Sequence, residues 1–206
     1  FKEEPMLHPD FLVAGDTVAI VAPAGILINK TQQIENAKAL MQSWGLNVLS
    51  APHLFSKANH FAGSDEERTA DMQWALDHPK VKAIWCARGG YGVTRIIDDL
   101  DFTLFLNKPK WLIGYSDITV LHAHLNKLRV ASIHGMMGVN LDRESAELDV
   151  SKATFKKALL GENLKYKFAK NTNNKGTEAK GELIGGNLTL LQHLLGSESL
   201  PNTKDK

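Results

Sequence analysis

The clearest strand-to-helix transition in the chain is Trp111-Leu112-Ile113-Gly114-Tyr115-Ser116-Asp117-Ile118-Thr119-Val120-Leu121. Its first three residues have the length and apolar character of a buried strand end. Beyond the polar turn, apolar residues recur at the spacing of one helix face, at Ile118, Leu121, Leu125 and Leu128. A sharp turn from a strand into a helix exposes the turn residue beside the free N–H groups of the helix. The pattern therefore makes Ser116 a candidate for chemistry.

The pattern alone leaves two interpretations of this turn open. Ser116 is a nucleophile, or Ser116 or Asp117 is simply the N-cap of the next helix, a position that favours both residue types. The G-x-S-x-G elbow of α/β-hydrolases would need glycine at position 118, where the chain has Ile118. Spacing alone therefore does not separate catalysis from capping.

The composition is that of an ordinary globular protein with one large domain or one domain and part of another. The chain has 206 residues, of which 43% are hydrophobic and 23% charged. The 24 basic and 23 acidic residues give a net charge of +1, so we predict neither nucleic acid nor an anionic membrane as a partner. No apolar run approaches the ~18 residues of a membrane helix. The chain does not begin with methionine, so removal of a leader before Phe1 stays open.

Strands and helices alternate along the first two thirds of the chain. Apolar runs predict five strands, at 17–22, 46–49, 81–87, 111–113 and 129–134. Helical periodicity and end signals predict helices over 31–44, from the Ser64 capping box to Pro79, over 93–100, and after Ser116. This order predicts an α/β fold, a flavodoxin- or Rossmann-like parallel sheet with helices on both faces. The carboxyl edge of such a sheet is where function gathers.

The pattern changes after residue 137. We predict an N-terminal α/β domain at 1–137 carrying Ser116, a connector at 138–180 with a short helix over 152–160, and the beginning of an incomplete second domain at 181–206. The last segment opens with Gly185-Gly186-Asn187 and continues as a leucine-rich helix that Gly196 ends. The face formed by those leucines needs a partner surface.

Arg88-Gly89-Gly90-Tyr91-Gly92 lies between a strand and a helix, where backbone N–H groups can hold an anion. Three interpretations stay open: a tight turn, a nucleotide-phosphate loop, and one half of an oxyanion hole completed by the N–H of Asp117. The nucleotide interpretation lacks the G-x-G-x-x-G spacing.

A serine nucleophile needs a base, and no residue is a clear choice. His122, His124 and His193 lie in helical settings that suit packing or surface positions. His134 ends a strand at the carboxyl edge of the sheet and is the best local candidate for the base, although a structural role suits a histidine at a strand end better. Glu182 could orient a base or simply be exposed. Cys86, the one cysteine, is predicted to be a small buried hydrophobe, and no metal-ligand constellation appears.

Five segments together resemble the LD-carboxypeptidase family of serine peptidases. They are Val21-Ala22-Pro23-Ala24, Ala87-Arg88-Gly89-Gly90-Tyr91-Gly92, Ile113-Gly114-Tyr115-Ser116-Asp117-Ile118-Thr119, His134-Gly135-Met136 and Gly185-Gly186-Asn187-Leu188. The resemblance spans about residues 12 to 200, with the segments in the family's order. It implies a cytoplasmic, homodimeric, cofactor-free hydrolase of murein recycling that removes the terminal D-alanine from a small muropeptide.

The resemblance also implies roles for particular residues. Ser116 corresponds to the nucleophile, and the backbone N–H groups of Gly90, less firmly Gly89, and of Asp117 correspond to the oxyanion donors. Arg88, Gly89, Tyr91 and His134 become candidate substrate contacts.

The family's triad is Ser-Glu-His, and its glutamate and histidine fall beyond position 206. We therefore assign neither Glu182 nor His134 to the triad and expect the 206-residue chain to be nearly inactive. Two alternatives stay open: hydrolysis of acyl-adenylate antibiotics, and a non-enzymatic muropeptide-binding module.

Overall fold

A five-stranded parallel sheet forms the centre of the protein in the computed structural model, which describes residues 5–175 and 178–203. The strands are β1 (Thr17–Val21), β2 (Asn47–Ser50), β3 (Val81–Cys86), β4 (Trp111–Gly114) and β5 (Ile133–His134). Their order in the sheet is β2-β1-β3-β4-β5, and every neighbouring pair is parallel. This is the flavodoxin-like order, so the predicted fold class is confirmed.

Helices cover both faces of the sheet. Helices α1 (Thr31–Ser43) and α5 (Ala146–Leu160) pack on one face. Helices α2 (Asp65–Asp77), α3 (Thr103–Asn107), α4 (Thr119–Lys127) and α6 (Leu188–His193) lie on the other. Alternate residues of each central strand enter the two cores, so that Val18 and Ile20 of β1 face α1 whereas Ala19 and Val21 face α2. Burial on both faces explains why β1, β3 and β4 read as continuous apolar runs.

The capping signals in the sequence mark true helix ends. The Ser64 hydroxyl accepts a hydrogen bond from Glu67 N, and the Glu67 carboxylate accepts one from Ser64 N, which completes the predicted capping box of α2. Gly45, just beyond α1, has φ +80°, a conformation that favours glycine at this position.

The segment between β3 and β4 differs from the prediction. Two 3₁₀ turns, at Val93–Arg95 and Ile97–Asp99, replace the helix expected over 93–100. Hydrogen bonds there run to the third residue back, as from Ile96 N to Val93 O, because the chain must bring Val93, Ile96 and Ile97 into the core within one short crossing. The short helix α3 that follows was not predicted.

Two later elements also have different limits. Helix α5 begins at Ala146 rather than at 152, because Ser145 caps it and Glu147 and Asp149 lie in its first turn, where acidic residues favour a helix. Strand β5 has two residues instead of the predicted six. Just before it, Leu7 N donates to Arg129 O and Leu7 O accepts from Ala131 N, so the chain there pairs with the N-terminal segment.

The segment from 181 to 203 lies on α4. The N–H of Asn187 donates to Thr119 Oγ1 at 2.9 Å, and Leu194 is buried in the core on that face. Leu188 and Leu195 are 80% and 69% exposed, so only part of the predicted leucine face is covered by described residues. The division at 137 and 180 stays a prediction. Among the described residues, no helix has both the length and the apolar character to cross a bilayer.

Candidate active site

Ser116 lies at the turn between β4 and α4, in a conformation that side chains seldom adopt. Its φ is +61°, in the left-handed region, and it is one of four non-glycine residues with positive φ among those described. Gly114, the last residue of β4, permits the turn because a Cβ there would lie 2.8 Å from Ile118 Cγ1. Ser116, which is partly buried, therefore stands at the carboxyl edge of the sheet, on a sharp strand-to-helix turn.

Neither polar residue of the turn caps the helix. The segment Ser116–Ile118 is a 3₁₀ turn that leads into α4, and no side-chain hydrogen bond caps either element. The Asp117 carboxylate instead accepts a hydrogen bond from Val93 N at 2.9 Å, across to the glycine loop. The capping interpretation of the sequence is therefore wrong. The N–H of Asp117 belongs to the first turn of the helical segment, where backbone donors lack intrahelical acceptors.

The glycine loop, residues 88–92, passes directly beside this turn. A Cβ on Gly89 would lie 3.0 Å from Ser116 Cβ, 3.2 Å from Ser116 Oγ and 3.5 Å from Asp117 N. The absence of a side chain at Gly89 thus leaves the space between the hydroxyl and the loop open. Backbone of the loop and the N–H of Asp117 border the same small volume at Ser116.

Gly90 lies on the outer side of the loop. It is exposed, has φ +116°, and would place a Cβ 3.1 Å from Gly25 Cα in the loop after β1. Gly25 N in turn donates to Gly89 O at 2.9 Å, which ties the two loops together. Gly89 is thus the glycine that faces Ser116, and the choice of Gly90 as donor stays a prediction.

A buried arginine, which the sequence analysis did not single out, joins these loops. Arg68 of α2 is 1% exposed, and its Nη1 donates to Pro23 O at 2.8 Å and to Gly92 O at 2.9 Å. Its position in a charged helix resembles that of a surface residue, so no sequence signal could have found it. Burial raises the pKa of Asp117, while the hydrogen bond from Val93 and the charge of Arg68 act in the opposite direction.

His122 of α4 supports the turn from behind. Because Gly114 O can only accept, His122 Nε2 donates to it at 2.8 Å, and Nδ1 then accepts from the Ser132 hydroxyl at 2.7 Å. Burial lowers the pKa of His122 to about 4, so its imidazole is neutral at pH 7. Of the two positions predicted for His122, packing or surface, the structure shows the packing position, since the residue is buried.

His134, the best local candidate for a base, ends β5 and is exposed. Its ring centre lies 6.2 Å from that of Tyr115 and 5.8 Å from that of His122. These contacts are with aromatic rings, and among the described residues His134 forms no hydrogen bond with Ser116.

The remaining candidate substrate contacts flank the glycine loop. The Arg88 guanidinium donates to Ile26 O of the loop after β1, which holds that side chain to the scaffold. Tyr91 is 48% exposed and packs against Phe61, with ring centres 5.9 Å apart, and against His60 at 6.5 Å. Tyr91 therefore contributes to an exposed aromatic surface beside the site.

A cleft of about 730 Å³ has Tyr115, the residue before Ser116, in its lining. One face of α5 and the chain after β5 form its walls, and its lining includes Tyr115, His134, Met136, Asn140 and Phe155. The Tyr115 hydroxyl accepts a hydrogen bond from Asn140 Nδ2 at 3.0 Å, which ties two residues of the cleft lining together.

The other titratable candidates have structural partners. Glu182 pairs with Arg129 at 3.0 Å, and His124 Nδ1 contacts Ser199 Oγ at 2.9 Å. Cys86 is fully buried, as predicted, and burial raises the pKa of its thiol. Within residues 5–175 and 178–203, no group of three His, Cys, Asp or Glu side chains could hold a metal ion.

Comparison with known proteins identifies related sequences and folds. A sequence model of the LD-carboxypeptidase N-terminal domain matches residues 18–135. A probable murein peptide carboxypeptidase of Bacillus subtilis is 33% identical over 202 residues, which cover 96% of this chain and 62% of the relative. The chain thus spans less than two thirds of the length of that curated relative.

Solved structures give the same result. The muramoyltetrapeptide carboxypeptidase of Oxalobacter formigenes superposes with a TM-score of 0.79 at 30% identity, covering 90% of this chain and 62% of that one. An MccF-like protein from Bacillus anthracis gives a TM-score of 0.83 at 27% identity, covering 97% and 68%. Since the family match covers more than half of the sequence, this chain belongs to the LD-carboxypeptidase family of peptidases.

Proposed function

We propose that this chain supplies the nucleophile and the oxyanion hole of a serine LD-carboxypeptidase that releases the terminal D-alanine from murein tetrapeptides. The observation that carries the proposal is the turn at Ser116, a partly buried residue with φ +61°, where the Ser116 side chain and the N–H of Asp117 both border the space beside Gly89. Residues in sparsely populated backbone regions cluster at active sites, so the positive φ of Ser116 at the carboxyl edge of the sheet supports a functional role. Two relatives, one named as a probable murein peptide carboxypeptidase and one as a muramoyltetrapeptide carboxypeptidase, support murein peptides as the substrate class.

In the proposed reaction, Ser116 Oγ attacks the carbonyl carbon before D-alanine, and its proton passes to a histidine base. The oxyanion is stabilised by the N–H of Asp117 and by an N–H of the glycine loop, from Gly90 or Gly89. The amine of D-alanine leaves with a proton from the histidine, and water then hydrolyses the acyl-enzyme. The resemblance implies that the histidine and the glutamate orienting it lie beyond residue 206. We place the reaction in the cytoplasm, in a homodimer.

The test is release of D-alanine from a purified murein tetrapeptide. The 206-residue chain and the product of the whole reading frame that contains it are assayed in parallel, and Ser116→Ala is compared with Ser43→Ala, an exposed serine of α1. We expect Ser116→Ala to lower turnover by roughly 10⁴-fold or more in the active protein and Ser43→Ala to change nothing. Equal turnover in the wild type and in Ser116→Ala contradicts the nucleophile assignment.

Two further substrates separate the alternatives. An aminoacyl sulfamoyl adenosine, or the corresponding acyl adenylate, tests hydrolysis of acyl-adenylate antibiotics, the alternative that the family resemblance leaves open. Binding of the tetrapeptide without release of D-alanine by the whole gene product favours the non-enzymatic module.

A further inference from the structure

The peptide unit between Gly92 and Val93 is held at both ends by buried charged side chains. Its carbonyl oxygen accepts from Arg68 Nη1 at 2.9 Å, and its N–H donates to Asp117 Oδ2 at 2.9 Å. In a trans peptide these two groups point in opposite directions. Arg68 and Asp117 therefore hold one peptide plane from its two sides, and that plane closes the glycine loop.

The same two side chains connect three separate loops. Asp117 belongs to the serine turn, and Arg68 also donates to Pro23 O at 2.8 Å, in the loop after β1. Both side chains are buried, at 1% exposure each. A continuous path thus runs from the loop after β1, through Arg68 and the Gly92–Val93 peptide, to the residue that follows Ser116.

Local sterics fix Arg68 in this position. Gly92 has φ +140°, and a Cβ there would lie 2.7 Å from Arg68 Nη1, so a side chain at residue 92 and this guanidinium exclude each other. The guanidinium also stacks on Phe61, with Cζ 4.8 Å from the ring centre, and pairs with Asp65. Contacts with Phe61 and Asp65 therefore anchor the guanidinium independently of the glycine loop.

We infer that Arg68 is a positioning residue for the oxyanion hole, which holds the glycine loop at the distance from Ser116 that its amides need. The inference rests on the proposed function. Arg68 contacts no reacting atom in this arrangement, and acts through the Gly92–Val93 peptide. Because a displacement of about 1 Å can cost roughly 10²-fold in rate, a guanidinium remote from the reacting atoms can set turnover.

Arg95 provides a matched control. It shares two partners with Arg68, since its Nε donates to Asp65 Oδ1 at 2.9 Å and its Cζ lies 5.4 Å from the Phe61 ring centre. Its side chain is 47% exposed and, within the described part of the chain, makes no hydrogen bond to the glycine loop or to residue 23. The backbone N–H of Arg95 donates to Gly92 O at 3.1 Å, and a side-chain substitution keeps that bond. A change seen in Arg68→Met and not in Arg95→Met therefore reports the loop contacts.

The first measurement is amide hydrogen exchange, which needs no activity. In Arg68→Met we expect exchange at Val93 N–H to accelerate at least 10-fold relative to residues of β1, whereas Arg95→Met leaves it unchanged. Arg68→Lys keeps the charge and a single donor centre, so it serves as the test variant if Arg68→Met does not fold. We expect its exchange rate at Val93 N–H to lie between those of the wild type and Arg68→Met. Unchanged exchange at Val93 in both Arg68 variants overturns the inference, whatever the enzyme hydrolyses.

The second measurement is turnover of the tetrapeptide by the active protein. We expect Arg68→Lys to lower kcat roughly 10- to 100-fold with little change in KM, since the oxyanion forms only in the transition state. Loss of exchange protection with an unchanged kcat also overturns the positioning role. An inactive wild type contradicts the proposed function alone, and the exchange result then decides whether Arg68 fixes the loop.

Discussion

Acidification should weaken the fold through His122, the histidine behind the serine turn. Burial lowers its pKa from 6.5 to about 4, so the unfolded chain takes up a proton at a higher pH than the folded chain. The contribution of neutral His122 to the free energy of unfolding is complete above about pH 6.5 and decreases as pH falls towards 4. Since a tenfold change in proton affinity corresponds to about 1.4 kcal/mol, the full loss is roughly 3 kcal/mol. About 2 kcal/mol of it should be lost by pH 5.

The assay is urea unfolding at pH 7 and pH 5 of the wild type and of His122→Gln. Glutamine can still donate to Gly114 O but does not titrate, so the wild type should lose about 2 kcal/mol more than the variant between the two pH values. Ser132→Ala removes the hydroxyl that donates to Nδ1 of the neutral imidazole and leaves the ring buried. That variant should keep the direction of the pH dependence but show a smaller loss between pH 7 and pH 5 than the wild type, because the neutral form is less favoured. Equal pH dependence in the wild type and His122→Gln would refute the reasoning.

Two other substitutions test the site and the scaffold. Gly89→Ala should lower the free energy of unfolding by no more than about 1–3 kcal/mol. It should reduce turnover, because the new Cβ would lie 3.2 Å from Ser116 Oγ. Wild-type kinetics in this variant would show that the reaction does not use the space beside the hydroxyl. Lys110→Met should destabilise the fold by roughly 3 kcal/mol or more in urea unfolding, since the buried ammonium donates to Ala75 O, Leu76 O and His78 O, and these carbonyls would lose it together; a loss below about 1 kcal/mol would contradict this.

The sheet was predictable because its signals are local. β1, β3 and β4 are apolar on both faces, and a strand with that pattern has few places to lie except inside a parallel sheet. The Ser64 capping box is likewise complete within four residues. A helix over 93–100 was wrongly expected because tertiary contacts decide the conformation there: Val93, Ile96 and Ile97 enter the core, and Val93 N–H donates to Asp117 of another loop.

The candidate site divides in the same way. The turn at Ser116 could be found from the sequence, since a strand, a polar turn and a helix follow one another there. Its support could not be found, because Arg68 lies 48 residues earlier in a helix whose charges suggest a solvent-facing surface, and only the folded chain brings its guanidinium to the Gly92 carbonyl. The sequence left His122 open as a packing or a surface residue, and its donation to Gly114 O depends on a register that periodicity does not reveal.

The left-handed backbone at Ser116 lowers the stability of the fold while it positions the hydroxyl at the site. A non-glycine residue in that region costs of order 1 kcal/mol or more, and the surrounding burial of β4 and α4 must sustain it. Glycine would relieve the cost and remove the hydroxyl in the same step. Selection for thermal resistance alone should therefore discard this serine, and its retention in a stabilised lineage would indicate that the hydroxyl is used.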